Sequence, residues 1–388
     1  MTLAVINIGE SHNGSPEGDG VGGDALVCDG ENIAWIGASF DVDVAAHEVV
    51  IDAAGATVVP GLIDSHVHTT FGDYTPRQQT VGFLESYLHG GTTRTLSASE
   101  VHVPGRPTDR VGVKALAIAA ARCFQNYRPA GITVHGGSVI LEPDLTPEDF
   151  RELFEQGVHM AKAGFGAFAT AMDYAPTVAA ARAAGLVVMC HTGGGSIPGS
   201  QAKISAEALL AIRPNVAGHV NGGPTCLSDS ENQLIVEEGR DIALQLVHAG
   251  NLRSAIDIAE RALALGDRHR ILIATDTPTG TGVIPLGMLR TMAELVSLGP
   301  LSPRQAVTAA TGSVSATYGV EGGRLEVGSV ADFLVIDAPL GSAADDAFTA
   351  LGRGDLPAVA CVVTSGQVRL TRSRNTPPPT RPVRVFPA

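Results

Sequence analysis

Residues 62–68 read LIDSHVH, an apolar stretch that ends in two histidines. Eight such short apolar segments, most of them ending in polar or glycine residues, follow one another along the middle of the chain. They are LIDSHVH (62–68), TTRTLSA (92–98), ITVHGGSVIL (132–141), VHMAKAGFG (158–166), LVVMCHTGG (186–194), NVAGHVNGG (215–223), IALQLVHAG (242–250) and ILIATDTP (271–278). Continuous apolar strands indicate a parallel sheet that is buried on both faces.

Helical stretches alternate with these strands. They include PRQQTVGFLESYLHG (76–90), DRVGVKALAIAAARCF (109–124), TPEDFRELFEQG (146–157), APTVAAARAAG (175–185) and SAIDIAERALALG (254–266). Eight strand–helix units over residues 59–319 predict the α/β class and a (β/α)8 TIM barrel.

The two ends of the chain differ from this middle. Residues 1–58 and 320–372 contain short β-branched runs that are broken by glycine and aspartate, as in hairpins. Each end is too short for a good core of its own, so we expect both to form one small β-sandwich. Residues 373–388 are rich in proline and predict an extended tail along the surface.

The composition excludes several classes of protein. The 388 residues carry 26 Lys plus Arg and 40 Asp plus Glu, a net charge of −14, which argues against a nucleic-acid partner. No stretch approaches the roughly 20 apolar residues of a membrane helix, and no secretory signal is recognisable. The five cysteines are scattered without a CxxC pair, which predicts reduced thiols and a cytoplasmic location.

Ionisable residues close several of the barrel strands. In a (β/α)8 barrel the carboxyl ends of the strands meet at one face, where active sites are found. Isolated charges there would cost several kcal/mol each unless they were paired or bound to metal. His66 and His68 are two apart on a strand and so face the same side, which suits a shared metal ion. The full candidate set is His66, His68, Lys162, His191, His219 and Asp276.

These motifs resemble the amidohydrolase superfamily over nearly the whole chain. The segments VIDAAGATVVPGLIDSHVH and GRLEVGSVADFLVID are similar to the superfamily's borders between sandwich and barrel. Strings such as RPAGITVHGGSVILE, HTGGGSIPGS and HVNGGPT resemble the enamidase branch, whose members hydrolyse cyclic enamides. The resemblance implies one divalent metal ion on His66, His68 and Asp276, and a second on His191 and His219.

The fourth strand departs from the enamidase pattern. Enamidases bridge the two metals with a glutamate there, whereas this chain has Lys162, one of its three lysines. Many binuclear amidohydrolases use a carboxylated lysine instead, so the resemblance implies that carbon dioxide modifies Lys162. Two alternatives remain: the lysine could extend out of the barrel end, or the register could shift by one and place Ala163 at this position.

The resemblance also implies a reaction. A hydroxide between the metals would attack the ring carbonyl of a cyclic amide, with Asp276 as catalytic proton shuttle. Zinc is the first candidate metal, followed by iron, manganese or cobalt. Alternatives are a hydantoinase or dihydropyrimidinase, a cyclic imide hydrolase, a mononuclear deaminase and a metal-free assembly protein. A capping role for Asp276 at a following turn is the structural alternative for that residue.

Substrate contacts are harder to assign from sequence. Arg77 and Arg106 lie in loops after the first two strands and could bind a substrate carboxylate, whereas Arg128 precedes the third strand. His135 and Asn221 are further candidates, although a histidine at the end of a strand is often a core residue. The glycines at 193–195 favour close backbone approach rather than a phosphate loop, and Cys190 should face away from the site. The expected partner is a small cyclic amide, and the family implies a homo-oligomer, a tetramer.

Overall fold

The computed structural model describes residues 1–17, 20–69, 80–99, 105–195, 202–223, 226–278 and 282–387. The strands in chain order are β1 (Thr2–Ile6), β2 (Glu10–Ser11), β3 (Ala25–Asp29), β4 (Asn32–Gly37), β5 (Val49–Asp52), β6 (Thr57–Pro60), β7 (Leu62–Val67), β8 (Thr92–Ser97), β9 (Thr133–His135), β10 (Ser138–Ile140), β11 (Met160–Ala163), β12 (Val187–His191), β13 (Val216–Gly218), β14 (Ala243–Val247), β15 (Ile271–Ala274), β16 (Phe333–Asp337), β17 (Ala358–Thr364), β18 (Gln367–Leu370) and β19 (Arg384–Pro387). The helices are α1 (Thr80–Leu88), α2 (Arg110–Gln125), α3 (Pro147–Glu155), α4 (Tyr174–Ala183), α5 (Ala206–Ile212), α6 (Asp229–Glu238), α7 (Leu252–Ala264), α8 (Gly287–Ser297), α9 (Pro303–Ala309), α10 (Gly312–Tyr318) and α11 (Ala347–Arg353).

Strands β7 to β15 form a ring of parallel strands. One sheet has the order β7-β8-β9 and the next runs from β10 to β15 in sequence order. The ring closes where Val67 bridges Thr277 and where the amide of Asp276 donates to the carbonyl of His66 at 2.9 Å. The predicted α/β class and (β/α)8 barrel are therefore confirmed.

The third barrel strand is divided into two pieces, which the sequence did not predict. Residues 132–141 were expected to form one strand, but β9 and β10 are separated by Gly136 and Gly137. Gly137 has φ +89°, and a Cβ there would lie 2.6 Å from the carbonyl oxygen of Ala117. The break therefore lets α2 approach the barrel closely at this point.

The two chain ends together form the predicted sandwich. Its sheets have the orders β19-β5-β1-β3-β4 and β18-β17-β16-β6-β2, so each contains strands from both ends of the chain. Leu3, Val5, Phe333, Val335 and Val363 are fully buried between them. The exact domain boundaries stay a prediction.

The C-terminal tail joins the sandwich to the barrel. Its last described residues form β19, which pairs antiparallel with β5 at a sheet edge. Upstream, the Ser373 hydroxyl donates to the carbonyl of His89 at 2.7 Å, and the Asn375 amide donates to the carbonyl of Ser86 at 2.9 Å. Residues 373–376 therefore hold the C-terminal part of α1, and we call them the tail clasp.

An apolar layer fills the amino-terminal end of the barrel. Ile63, Met160, Val216, Ala243 and Leu272 all lie near the starts of their strands and form one buried cluster. Polar side chains occupy the opposite end of the same strands, which is where the candidate site lies. Within the described part of the chain, no helix has the length and apolar character needed to cross a membrane.

Candidate metal centre

Three of the predicted residues meet where the first and eighth barrel strands end. His66 lies in β7, His68 directly follows that strand, and Asp276 comes two residues after β15. Oδ1 of Asp276 is 3.3 Å from Nε2 of His66 and 3.2 Å from Nε2 of His68. One ligand atom from each of the three residues lies within 4.8 Å of the other two, a spacing that can hold a metal ion.

The histidines of the fifth and sixth strands join this group. His191 is the last residue of β12, and His219 follows β13. Their ring centroids are 4.4 Å apart, and the His219 ring lies 5.3 Å from that of His66. The four predicted histidines thus form a continuous group at the carboxyl end of the barrel.

Lys162 also enters the group. It lies in β11 with 1% of its surface exposed, and its Nζ is 3.4 Å from Nε2 of His66. Burial lowers the pKa of Lys162 to about 8, against the opposing effect of the Asp276 charge. Ala163 packs instead in the core between barrel and helices. The structure therefore supports neither the shifted register nor a lysine that extends out of the barrel.

The charge state of the group follows from burial and from mutual contact. Burial alone would raise the pKa of Asp276, but His66, His68 and His219 outweigh it and hold that pKa well below its usual range. Burial lowers the pKa of His219 to about 4 and that of His66 well below its usual value. These shifts favour an ionised Asp276 carboxylate and neutral rings at His66 and His219, which are the forms that bind metal.

Backbone conformations at the site are unusual. His219 has φ +38° and Asp276 has φ +59°, both in the left-handed region that non-glycine residues seldom adopt. Such positions cost on the order of 1–3 kcal/mol and cluster at functional sites. Two glycines allow the chain to pass close to His191: a Cβ on Gly164 would lie 2.5 Å from its Cβ, and one on Gly194 would lie 2.3 Å from its Nε2.

Two buried polar residues support the site and were not singled out from the sequence. Asp64 accepts from the hydroxyl of Thr275 at 2.5 Å and from its amide at 3.0 Å, which ties β7 to the residue before Asp276. Gln245, in the middle of β14, lies 2.5 Å from Nδ1 of His66. A polar residue inside the apolar run IALQLV was the signal that could have identified Gln245.

Arg106 and Asn221, two of the predicted substrate contacts, have other partners. The guanidinium of Arg106 donates to the carbonyl of Phe165 at 2.5 Å and pairs with buried Glu142 at 2.6 Å. The Asn221 amide donates to the carbonyl of Val247 and accepts from its N–H. Arg106 therefore connects the segments that follow β10 and β11, and Asn221 connects the ends of β13 and β14.

The contact of Arg106 and Asn221 with substrate stays a prediction, and the remaining candidates lie in different parts of the chain. Arg77 lies outside the described residues. His135 is in β9, where burial lowers its pKa to about 3, and its contact with substrate stays a prediction. The guanidinium of Arg128 donates to the hydroxyl of Ser365, a residue of the sandwich, at 3.2 Å. Cys190 faces the core outside the barrel, as expected.

Comparisons with known proteins show the family to which the chain is related. Residues 57–369 match the model of the amidohydrolase family. The chain is 43% identical to enamidase from Eubacterium barkeri, with 100% of each chain covered. It is 27% identical to imidazolonepropionase from Mycolicibacterium smegmatis, covering 95% of this chain and 97% of the relative. A crystal structure of enamidase superposes with a TM-score of 0.94 at 42% identity, with 100% of both chains covered.

Proposed function

The chain belongs to the amidohydrolase family and is a hydrolase, and from that premise we propose that it opens a cyclic amide at a binuclear metal centre. The substrate class we propose is a cyclic enamide or related lactam, because the name of the relative enamidase denotes hydrolysis of an enamide. The observation that carries the proposal is the convergence of Lys162 on the histidines and Asp276 at the barrel mouth.

The donor set suits two divalent ions. We assign His66, His68 and Asp276 to one ion and His191 and His219 to the other. The Nδ1 atom of His219 is buried and has no hydrogen-bond partner among the described residues, as expected of a side chain built to meet an ion. Imidazole and carboxylate ligands favour zinc, and iron, manganese or cobalt would also fit. When bound, such ions lower the pKa of a water molecule toward neutrality and polarise an amide carbonyl.

We propose that Lys162 is converted to a carbamate, which would hold both ions together with the histidines and Asp276. An ammonium beside two cations would be repelled by several kcal/mol even at an effective dielectric near 20. Reaction of the neutral amine with carbon dioxide forms an N–C bond, releases one proton to solvent and leaves an anion with two oxygens. That product has the charge and the pair of donors that a bridging position requires.

The proposed role of Asp276 is to carry a proton. Its carboxylate is ionised, so it can accept the proton of the attacking water. It then delivers that proton to the ring nitrogen as the amide C–N bond breaks. A deaminase would need an acid three residues after His191, but this chain has Gly194 there, which disfavours that alternative.

Two further parts of the proposal concern the cellular compartment and the oligomeric state. We propose a reducing, cytoplasmic compartment, supported by the buried Cys28, Cys190 and Cys361, which form no disulfide. We also propose a homo-oligomer, a tetramer by family resemblance. Cross-linking or analytical ultracentrifugation of the purified chain tests the second statement directly.

Metal analysis combined with a substrate panel tests the main proposal. We expect about two ions per chain, one lost in His66→Ala and the other in His219→Ala. Cyclic enamides and lactams should react faster than hydantoins, cyclic imides or dihydropyrimidines. One ion per chain with release of ammonia from an aminated ring would favour a deaminase, and unchanged metal content in both variants would contradict the model.

A further inference from the structure

We propose that Gln245 is a positioning residue that fixes the ring of His66, with Nδ1 protonated and Nε2 directed at the metal centre. This inference rests on the proposed function, in which His66 holds a metal ion. It concerns a residue on β14, a strand that supplies no proposed ligand.

The orientation of the Gln245 amide follows from its backbone partners. The N–H of His219 can only donate, and it points at Oε1 of Gln245 at 3.3 Å. The carbonyl of Ser65 can only accept, and it lies 3.2 Å from Nε2 of Gln245. The positions of Oε1 and Nε2 in the Gln245 side chain therefore follow from the hydrogen-bonding character of these two backbone groups.

That orientation decides which nitrogen of His66 carries its proton. Oε1 of Gln245 is an acceptor and lies 2.5 Å from Nδ1 of His66, so Nδ1 must donate. A neutral imidazole has one N–H, which leaves the lone pair on Nε2. Nε2 is the atom that lies 3.3 Å from Asp276 and 3.4 Å from Lys162. The ring thus presents its ligating atom to the group before any metal arrives.

The Gln245 amide is itself held firmly. It is fully buried, and its Nε2 also donates to the Ser65 hydroxyl at 2.8 Å and lies 3.5 Å from the Tyr318 hydroxyl. Through Oε1 it binds the backbone of His219, whose φ is +38°. One amide therefore supports the His66 ring and the unusual backbone of His219, so its loss should disturb both proposed ion sites.

Metal affinity tests this role without relying on turnover. Removal of a side chain that orients a metal-binding histidine typically weakens metal affinity by about 10–100-fold. We expect Gln245→Met, of similar size but without the acceptor, to weaken zinc binding by about that factor in chelator competition. Gln245→Glu keeps an acceptor against Nδ1 but loses the donor to the Ser65 carbonyl, so it should retain more zinc affinity than Gln245→Met. Equal weakening in both variants, or none in Gln245→Met, would overturn the inference.

A matched control separates positioning from general destabilisation. Asn232 is another buried amide, on α6, and it donates to the hydroxyl of Ser254 at 2.7 Å. Asn232→Leu should lower the thermal midpoint yet leave zinc affinity unchanged. If His66→Ala loses no ion, the proposed function fails; if it loses one while Gln245→Met binds normally, only the present inference fails.

Histidine-labelled metal-free protein gives a second readout. Long-range proton–nitrogen NMR spectra distinguish a protonated from an unprotonated ring nitrogen, and the His66 signals are assigned by their absence in His66→Ala. We expect Nδ1 of His66 to be protonated in the wild type and in Gln245→Glu. In Gln245→Met, we expect the proton to be distributed between Nδ1 and Nε2. An unprotonated Nδ1 in the wild type would refute the proposal.

Discussion

Nζ of Lys162 lies 3.4 Å from Nε2 of His66, so the fourth barrel strand brings its lysine to the histidine pair of the first. A fully buried amine in contact with a histidine is a poor choice for packing alone. The contact places Lys162 inside the group of proposed metal ligands.

Replacement of Lys162 should remove the proposed bridge. We expect Lys162→Ala to lower turnover by at least about 100-fold, because the second ion loses its shared anion. Lys162→Glu should retain more activity and should not respond to added bicarbonate. Protein incubated with 13C-bicarbonate should show a carbamate carbon signal that persists in the surface control Lys203→Ala and disappears in Lys162→Ala. A two-metal enzyme without that signal would rule out carboxylation.

Asp276→Asn tests the proton shuttle. We expect turnover to fall by about 10²–10⁴-fold while KM stays within about tenfold, because an amide cannot exchange the proton although binding contacts remain. The variant is reloaded with metal, and its metal content is measured in the preparation used for steady-state kinetics. Turnover close to that of the wild type in a fully loaded sample would exclude Asp276 as the proton carrier.

His135 should make stability depend on pH. Burial, followed by the charges of Arg94, His159 and Arg128, lowers its pKa to about 3 in the folded protein, against about 6.5 when unfolded. Below pH 6.5 the unfolded chain therefore binds a proton that the folded chain excludes. Stability should fall by roughly 1.4 kcal/mol per pH unit from pH 6.5 toward 3.

The measurement compares thermal midpoints of the wild type and His135→Gln between pH 7.5 and 4.5. The midpoint of the variant should rise relative to that of the wild type as the pH falls. His269→Gln, at an exposed position, should keep the wild-type slope. A gap between wild type and His135→Gln that does not change with pH would contradict this prediction.

The tail clasp offers a contrast between buried and exposed contacts. The buried hydroxyl of Ser373 donates to the carbonyl of His89 and accepts from the backbone N–H groups of Asn375 and Thr376. Ser373→Ala should therefore lower the free energy of unfolding by about 1–3 kcal/mol. The neighbouring ion pair of Arg374 with Glu85 is about half exposed, and Arg374→Ala should cost less than about 1 kcal/mol. Differential scanning calorimetry at one scan rate checks the order, and a larger loss in Arg374→Ala would reverse it.

Local pattern was sufficient to predict the barrel and the residues that close its strands. His66, His68, His191, His219 and Asp276 each follow an apolar run, and parallel strands deliver such positions to one face. Their convergence therefore required no knowledge of tertiary contacts.

The supporting contacts required the fold. The interruption at Gly136 depends on how closely α2 packs, and the Arg106–Glu142 pair joins residues 36 positions apart in sequence. Gln245 looks like one polar residue in an apolar strand until the fold brings His66 of β7 and the backbone of His219 within hydrogen-bonding distance of it. Sequence pattern gives the direction of a side chain on its own strand, but not the identity of its partner on another.

The interleaved sandwich has a consequence for synthesis of the protein. Leu3 and Val5 on β1 share one buried cluster with Phe333 and Val335 on β16, so strands that lie about 330 residues apart in sequence bury each other. At roughly 5–20 residues per second, the ribosome needs about 20–60 s to reach β16. During this interval the N-terminal strands expose apolar surface and unpaired edges. The nascent N-terminal strands should therefore depend on chaperone protection until β16 has been synthesised and has left the ribosome.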